Sequence, residues 1–186
     1  LLIIVFALGL SVVWFFMPAQ VVRMLDALMR RKAGLRVRRV TVDGLTWPYL
    51  EGGPADAPVL VLVHGFGDRK EAWVFLAQHL TGRYRVICPD LPGFGENTKD
   101  PALGYGTATQ AARLHGFVQA LGLGDVHLSG SSMGGMSAIR LIMSHILSTF
   151  LRSTGPWPLT NIFAPSFLIL SAPAAKASAF QVGADD

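Results

Sequence analysis

A short stretch centred on Ser132 places the strongest constraint on how this chain folds. Residues 126–138, VHLSGSSMGGMSA, combine a strand-like start, a serine between glycines and a run of small residues that opens a helix. They contain a G-x-S-x-G pattern from Gly130 to Gly134, in which bulky side chains would block the close passage of neighbouring backbone. The pattern predicts a tight strand-to-helix turn with Ser132 at its apex. A plain turn or helix cap is the alternative that these five residues alone leave open.

The segments before this turn alternate between strand and helix patterns. The continuous apolar run Val59–Val63 is typical of a central strand covered on both faces, and a second strand is predicted over residues 84–88. Helices are predicted over residues 70–80 and 107–121. Strands that alternate with helices predict a parallel sheet with helices on both faces.

Further strands are predicted at both ends of this region. Residues 36–42 and 45–51 are separated by Asp43-Gly44, a turn signal that predicts a hairpin. Residues 167–171 form one more apolar strand pattern. We expect that last strand to leave an open hydrophobic edge.

Charge is distributed unevenly along the 186 residues. The whole chain has a net charge of +4, but residues 1–39 carry seven Arg or Lys residues and one Asp, a net charge of +6. Residues 40–186 therefore carry a net charge of −2 and form no basic stripe. This distribution argues against nucleic acid as a partner.

The basic charge lies beside a long apolar segment. Residues 1–22 are uncharged and are long enough, at about 1.5 Å per residue, to span the core of a bilayer. Trp14, Phe15 and Phe16 precede the basic segment 23–34, which is the order expected at a cytoplasmic interface. We expect a single-pass transmembrane anchor with the remaining chain in the cytoplasm. A secretory signal is the alternative, but no small-residue cleavage site follows the apolar run.

The basic juxtamembrane segment has a pattern of its own. Apolar and charged residues alternate over residues 21–32, so the helix is expected to continue as an amphipathic stretch on the lipid headgroups. A solvated linker is the alternative. The single cysteine, Cys88, lies in an apolar run and is expected to be a buried hydrophobic residue. No metal-ligand spacing or phosphate-binding loop occurs, so no cofactor is expected.

Three spaced motifs resemble the α/β-hydrolase superfamily. HGFG at residues 64–67 follows one predicted strand, DLPGFGEN at residues 90–97 follows the next, and GSSMGG at residues 130–135 follows the third. With its apolar N-terminus the chain resembles the membrane-anchored monoacylglycerol-lipase-like branch, over about residues 14–138 and again at 168–173. The resemblance implies an α/β fold with a mostly parallel sheet and helices on both faces, truncated after about the sixth strand and preceded by a transmembrane helix.

The resemblance also implies roles for individual residues. Ser132 would attack an ester carbonyl and carry the acyl group. The backbone N–H groups of Phe66 and Met133 would form the oxyanion hole. The supporting positions of the same motifs are His64, Gly65, Gly130 and Gly134.

Two polar residues near these motifs invite catalytic assignments that the resemblance does not favour. The histidine of the family's HG pair shapes the oxyanion loop, so His64 is expected to be structural and not the general base. Asp90 lies in a Pro-Gly loop and is expected to be a turn residue and not the triad acid. The remaining histidines fall in or beside predicted helices and strands, and they are expected to be ordinary surface or core residues.

The resemblance ends before the catalytic machinery is complete. A nucleophilic serine needs a general base and an orienting acid, which the family supplies from loops after later strands. No histidine follows the predicted strand at residues 167–171, so the chain as given is expected to be catalytically incomplete.

The connector over residues 148–165 also departs from the family's short loop. Gly155, Pro156 and Pro158 exclude one regular helix there. An insertion, an altered reading frame, a splice variant and a local lid are all open interpretations.

Together these observations predict a serine hydrolase of carboxylic esters, a lipid esterase or monoacylglycerol lipase. Its domains would be an anchor at residues 1–22, the juxtamembrane segment 23–34 and part of a hydrolase domain at residues 35–186. Its partners would be the bilayer and a small ester or acylglycerol. A carbon–carbon bond hydrolase with the same serine and a non-catalytic, membrane-anchored binding module are the alternatives. Dehalogenases and epoxide hydrolases with an aspartate nucleophile are disfavoured, because Ser132 occupies the turn.

Overall fold

The structure is a computed structural model that describes Gly9, Ser11 and residues 18–150, 162–164 and 167–172, with side chains for residues 19–143. Its strands are β1 (Arg36–Val42), β2 (Leu45–Gly52), β3 (Val59–Val63), β4 (Arg85–Pro89), β5 (Val126–Gly130), β6 (Ile162–Ala164) and β7 (Phe167–Ala172). Its α-helices are α1 (Pro18–Lys32), α2 (Val74–Ala77), α3 (Thr107–Ala120) and α4 (Met133–Phe150), and a 3-10 helix, Lys70–Trp73, leads into α2.

The described strands form one sheet of seven strands in the order β1-β2-β4-β3-β5-β7-β6. Its centre is parallel, because β3 pairs in parallel with both β4 and β5. The pairings of β1 with β2, β2 with β4, β5 with β7 and β6 with β7 are antiparallel. The prediction of a mostly parallel sheet is therefore wrong in this respect, and the described sheet is mixed.

The reversal at β7 has a topological cause. Helix α4 carries the chain back along the sheet after β5, and the next strand is the short β6, which no pattern in residues 148–165 predicted. Strand β6 then pairs with β7 through Ala164 and Phe167, so the chain turns once more before β7 meets β5. The described sheet thus has seven strands and not about six. Because β7 pairs on both sides, its predicted open edge is also wrong.

Both faces of the sheet are covered, as the alternating pattern predicted. Leu60 and Leu62 of β3 pack toward α1 and the 3-10/α2 segment, in a cluster with Trp73 and Ala77. The intervening β3 residues pack toward α3 and α4 on the other face, in a cluster with Leu114, Phe117, Ala138 and Ile142. Strand β3 is therefore a central strand, and Cys88 of β4 is fully buried, as predicted.

The predicted hairpin and helices are present with altered lengths. Strands β1 and β2 pair around Asp43 and Gly44, which both have positive φ, as a tight hairpin turn requires. Helix α3 matches the predicted 107–121 closely. The predicted helix 70–80 is shorter, because the N–H groups of His79 and Leu80 donate to carbonyls only three residues back and tighten the chain into turns.

Helix α1 agrees with the predicted helical continuation over residues 21–32. Most of the predicted anchor, residues 1–22, lies outside the described residues. Within the part of the chain that the structure describes, no helix combines the length and the apolar character needed to cross a membrane.

Candidate active site

Ser132 lies between the end of β5 and the start of α4, at the carboxyl edge of the parallel strands. It is exposed, and its φ of 51° places it in the left-handed region, which residues other than glycine rarely adopt. Such strain persists only where the surrounding structure enforces it. The turn predicted from the G-x-S-x-G pattern is therefore present, while the role of Ser132 as nucleophile stays a prediction.

The glycines of this turn are required by close backbone contacts. A Cβ on Gly130 would lie 2.5 Å from the carbonyl carbon of Gly134, and a Cβ on Gly134 would lie 2.7 Å from that of Val63. Real Cβ atoms do not approach backbone atoms so closely, so either side chain would force the turn apart. A Cβ on Gly65 would meet the carbonyl oxygen of Ser131 at 3.3 Å, so the HG loop also packs tightly against the turn.

The hydrogen bonds of the turn determine which N–H groups face the site. The Ser131 carbonyl accepts from Gly134 at 2.9 Å, and the Ser132 carbonyl accepts from Met136 at 3.0 Å, which opens α4. Within the described residues, the N–H groups of Phe66 and Met133 donate no hydrogen bond. The N–H groups at the start of a helix carry partial positive charge, so Met133 is suited to stabilise an anion beside Ser132.

His64 is completely buried beneath this site, and both of its ring nitrogens are engaged. The N–H of Leu91 donates to Nε2 at 3.1 Å, so Nε2 must be an acceptor. Nδ1 then carries the proton and donates to the Gly65 carbonyl at 2.8 Å. A ring held in this way links the HG loop to the loop after β4, and neither nitrogen is free to accept a proton from Ser132.

Asp90, the first residue after β4, is completely buried, and its carboxylate accepts three hydrogen bonds. Its Oδ1 accepts from the backbone N–H of Lys70 at 2.6 Å, and its Oδ2 accepts from the Lys70 ammonium at 2.8 Å. The N–H of Glu96 also donates to Oδ2, at 2.9 Å. Asp90 therefore joins the start of the 3-10 helix to its own loop. Its carboxylate bonds Lys70 and Glu96, whereas the carboxylate of a triad acid bonds the catalytic histidine.

Lys70 is the residue near the site that the sequence patterns missed. Its side chain is almost completely buried, and its Nζ lies 2.8 Å from Asp90 and 3.4 Å from Glu71. Burial by itself lowers the pKa of Lys70, but the hydrogen bond to Asp90 and the nearby carboxylates raise it overall. Lys70 therefore stays charged. Its partner Asp90 is 20 positions further along the chain, so no local pattern marks the pair.

Apolar side chains are exposed on the HG loop and on α4, the two segments that flank the serine turn. Phe66 is 80% exposed and packs edge-on against Phe94, with 5.4 Å between the centroids of the two rings. Met136 and Met143 are exposed on α4, the helix that begins directly after Ser132. Among the described residues, no group of three or more potential ligands is placed to hold a metal ion. The arrangement offers an exposed serine, two N–H donors and apolar surface.

Comparison with known protein families shows which family this chain belongs to. Residues 58–165, more than half of the chain, match the family described as alpha/beta hydrolase fold. The chain belongs to this family.

Particular relatives narrow the comparison. The chain is 38% identical over 112 residues to Lipase 1 of Psychrobacter immobilis, a match that covers 59% of this chain and 35% of the lipase. It is 31% identical over 124 residues to a monoacylglycerol lipase of Homo sapiens, which covers 65% of this chain and 37% of that enzyme. The crystal structure of a membrane phospholipase A, a bacterial virulence factor, superposes with a TM-score of 0.65 and 41% identity, over 75% of this chain and 45% of that one. The matched region thus spans little more than a third of the length of these curated relatives.

Proposed function

We propose that this chain is part of a serine hydrolase of carboxylic esters whose complete form cleaves lipid esters through an acyl-enzyme on Ser132. The observation that carries the proposal is the left-handed backbone of Ser132, exposed at the end of β5 beside the unbonded N–H groups of Phe66 and Met133. Strained backbone of this kind is concentrated at functional sites. A structural turn at this position gains nothing from a serine, because glycine adopts the same φ without strain.

The proposed chemistry follows from these groups. Ser132 Oγ attacks the ester carbonyl, and the carbonyl oxygen becomes an oxyanion that accepts hydrogen bonds from Phe66 and Met133. Collapse of the tetrahedral intermediate expels the alcohol and leaves the acyl group on Ser132. Water then releases the acid.

Proton transfer in both steps requires a general base. His64 does not supply it, because Nε2 accepts from Leu91 and Nδ1 donates to Gly65. Asp90 does not supply the orienting acid, because its carboxylate is occupied by Lys70 and Glu96. We therefore place the base and acid outside the described residues and expect the 186 residues alone to be catalytically incomplete.

A lipid substrate and a membrane location complete the proposal. The exposed apolar side chains of Phe66, Met136 and Met143 suit an acyl chain. The relatives whose names specify a lipase point to the same substrate class. We propose that residues 1–22 anchor the chain in a bilayer and that the hydrolase region faces the cytoplasm.

The test is ester hydrolysis by an extended chain. The remainder of the Psychrobacter immobilis lipase, beyond its matched segment, is fused after residue 150, and hydrolysis of a monoacylglycerol and a short p-nitrophenyl ester is measured. We expect activity toward both that Ser132→Ala abolishes. Ser131→Ala is the matched control and should retain most activity, because only the backbone of Ser131 bonds within the turn.

Two outcomes would contradict the proposal. Activity that survives Ser132→Ala would exclude this serine as nucleophile. A folded fusion without ester hydrolysis would favour the carbon–carbon bond hydrolase or the non-catalytic binding module.

A further inference from the structure

Helix α1 is attached to the rest of the protein by two ion pairs and by Met29, which packs against the core. Arg30 Nη1 lies 2.8 Å from Glu71 Oε1, and Asp26 Oδ2 lies 2.9 Å from Arg69 Nη2. Asp26 and Arg30 are four positions apart, so they lie on one side of the helix. Arg69 directly precedes the 3-10 helix and Glu71 lies within it, so two ion pairs join α1 to the region that follows the HG loop.

The apolar side of α1 faces outward. Leu25 and Leu28 are three positions apart and are 51% and 52% exposed, and Met24 is exposed as well. Helices of globular proteins ordinarily turn such a stripe toward the core. Here the side that carries Asp26 and Arg30 is attached to the body, and the side that carries Leu25 and Leu28 is uncovered among the described residues.

The surroundings of this stripe indicate what covers it. Helix α2, which contacts α1, also exposes large apolar side chains, Phe75 and Leu76. Arg23, Arg31 and Lys32 are exposed on α1, and residues 1–39 carry a net charge of +6. The uncharged apolar run of residues 1–22 leads directly into the helix. Apolar residues flanked by cations match the boundary between headgroups and acyl chains of an anionic bilayer.

We propose that α1 lies in the headgroup layer of an anionic membrane with Leu25 and Leu28 toward the acyl chains. The ion pairs to Arg69 and Glu71 then hold the hydrolase region against that surface. Arg69 is three positions after Phe66, so α1 also fixes the height of the candidate oxyanion loop above the lipid. The inference rests on the membrane association in the proposed function but requires neither the transmembrane span nor catalysis.

The test uses the accessibility of spin labels on the full chain. Cys88 is fully buried and burial raises the pKa of its thiol, so a thiol-specific label reacts with an introduced cysteine instead. Leu28→Cys and Leu25→Cys each place a label on the proposed lipid face. If one variant fails to fold, the other still tests the proposal. Gln119→Cys on α3, also exposed, is the matched control. Each is reconstituted into phosphatidylcholine vesicles with about a third phosphatidylglycerol.

In vesicles, we expect the α1 labels to be about fivefold or more less accessible to a water-soluble nickel chelate than the Gln119 label, and more accessible to oxygen. The Gln119 label should stay accessible to the chelate. Labels on α1 that remain as accessible to nickel as the control would overturn the proposal. Spin–spin broadening between copies would also overturn it, because a second chain would then cover the face. Equal protection on pure phosphatidylcholine would overturn its anionic part.

A carbonate wash of the same vesicles separates this inference from the anchor. Release by carbonate together with protected α1 labels would refute the transmembrane span but support the proposed position of α1 in the headgroup layer. Retention after the wash with nickel-accessible α1 labels would support the transmembrane anchor and refute the proposed position of α1 in the headgroup layer. Ester hydrolysis by the extended chain is measured independently of both.

Discussion

The turn around Ser132 and the Asp90 loop lie at the same edge of the sheet but are stabilised in opposite ways. The turn at residues 130–134 follows β5, and its backbone passes so close to β3 that there is no room for a Cβ on Gly134. The loop after β4 is held by a buried carboxylate, which accepts hydrogen bonds from Lys70 and Glu96. An added side chain is therefore expected to disrupt the Ser132 turn, whereas loss of the buried charge is expected to disrupt the Asp90 loop.

The difference matters for the candidate chemistry. The crowded turn fixes Ser132 through its backbone and leaves its side chain exposed. The charged cluster holds the HG loop from beneath, since Lys70 follows that loop and His64 bonds Leu91 beside Asp90. Steric exclusion thus positions Ser132, and buried polar contacts position the HG loop with the backbone N–H of Phe66.

Gly134→Ala should give the largest effect, because its Cβ would overlap the carbonyl groups of Val63 and His64. We expect a loss of about 4 kcal/mol in the free energy of unfolding, or failure to fold. Gly82→Ala is the matched control, since a Cβ there meets nothing within 4 Å. Urea unfolding monitored by tryptophan fluorescence measures both variants. Equal stabilities would show that the turn is not crowded.

Asp90→Asn should give the next largest effect, because it removes the nearest and most deeply buried of the carboxylates around the Lys70 ammonium. We expect a loss of about 2–3 kcal/mol. The control Asp43→Asn, in the exposed β1–β2 turn, should change stability by less than about 0.5 kcal/mol. Adding Lys70→Met to Asp90→Asn should recover part of the loss, and a strictly additive double variant would argue against the ion pair.

Ser132→Gly should give the smallest effect and the opposite sign. Glycine relieves the left-handed strain at φ 51°, and this gain exceeds the added entropy of the unfolded chain, so we expect a net stabilisation of about 0.5–1 kcal/mol. Ser131→Gly has no such strain to relieve and should destabilise by about 0.5–1 kcal/mol. The same unfolding measurement compares them. Two variants with the same sign would remove the argument that Ser132 is held under strain.

The sequence predicted the turn because its requirements are local. Gly130, Ser132 and Gly134 lie within five residues, between a strand pattern and a helix pattern, and each reports a steric need at its own position. The two-sided burial of β3 was predictable for the same reason, since an uninterrupted apolar run of five residues has no polar face.

The sequence did not predict features that depend on distant partners. Lys70 looked like the start of a helix, and its burial depends on Asp90, 20 positions later. The attachment of α1 depends on the Arg30–Glu71 pair, 41 positions apart. The antiparallel direction of β7 depends on β6, a strand of three residues that is too short to leave a pattern.

The most direct test of the central claim is to identify the residue that a fluorophosphonate probe modifies. The chain extended with the remainder of the lipase is labelled, digested and sequenced by mass spectrometry. Our account predicts one phosphonylated serine, Ser132, and slow or absent labelling of the 186 residues alone, since a serine without a hydrogen-bonded base is a weak nucleophile. An adduct on another residue, or rapid labelling of the unextended chain that His64→Gln abolishes, would contradict it by making another group the nucleophile or His64 the base.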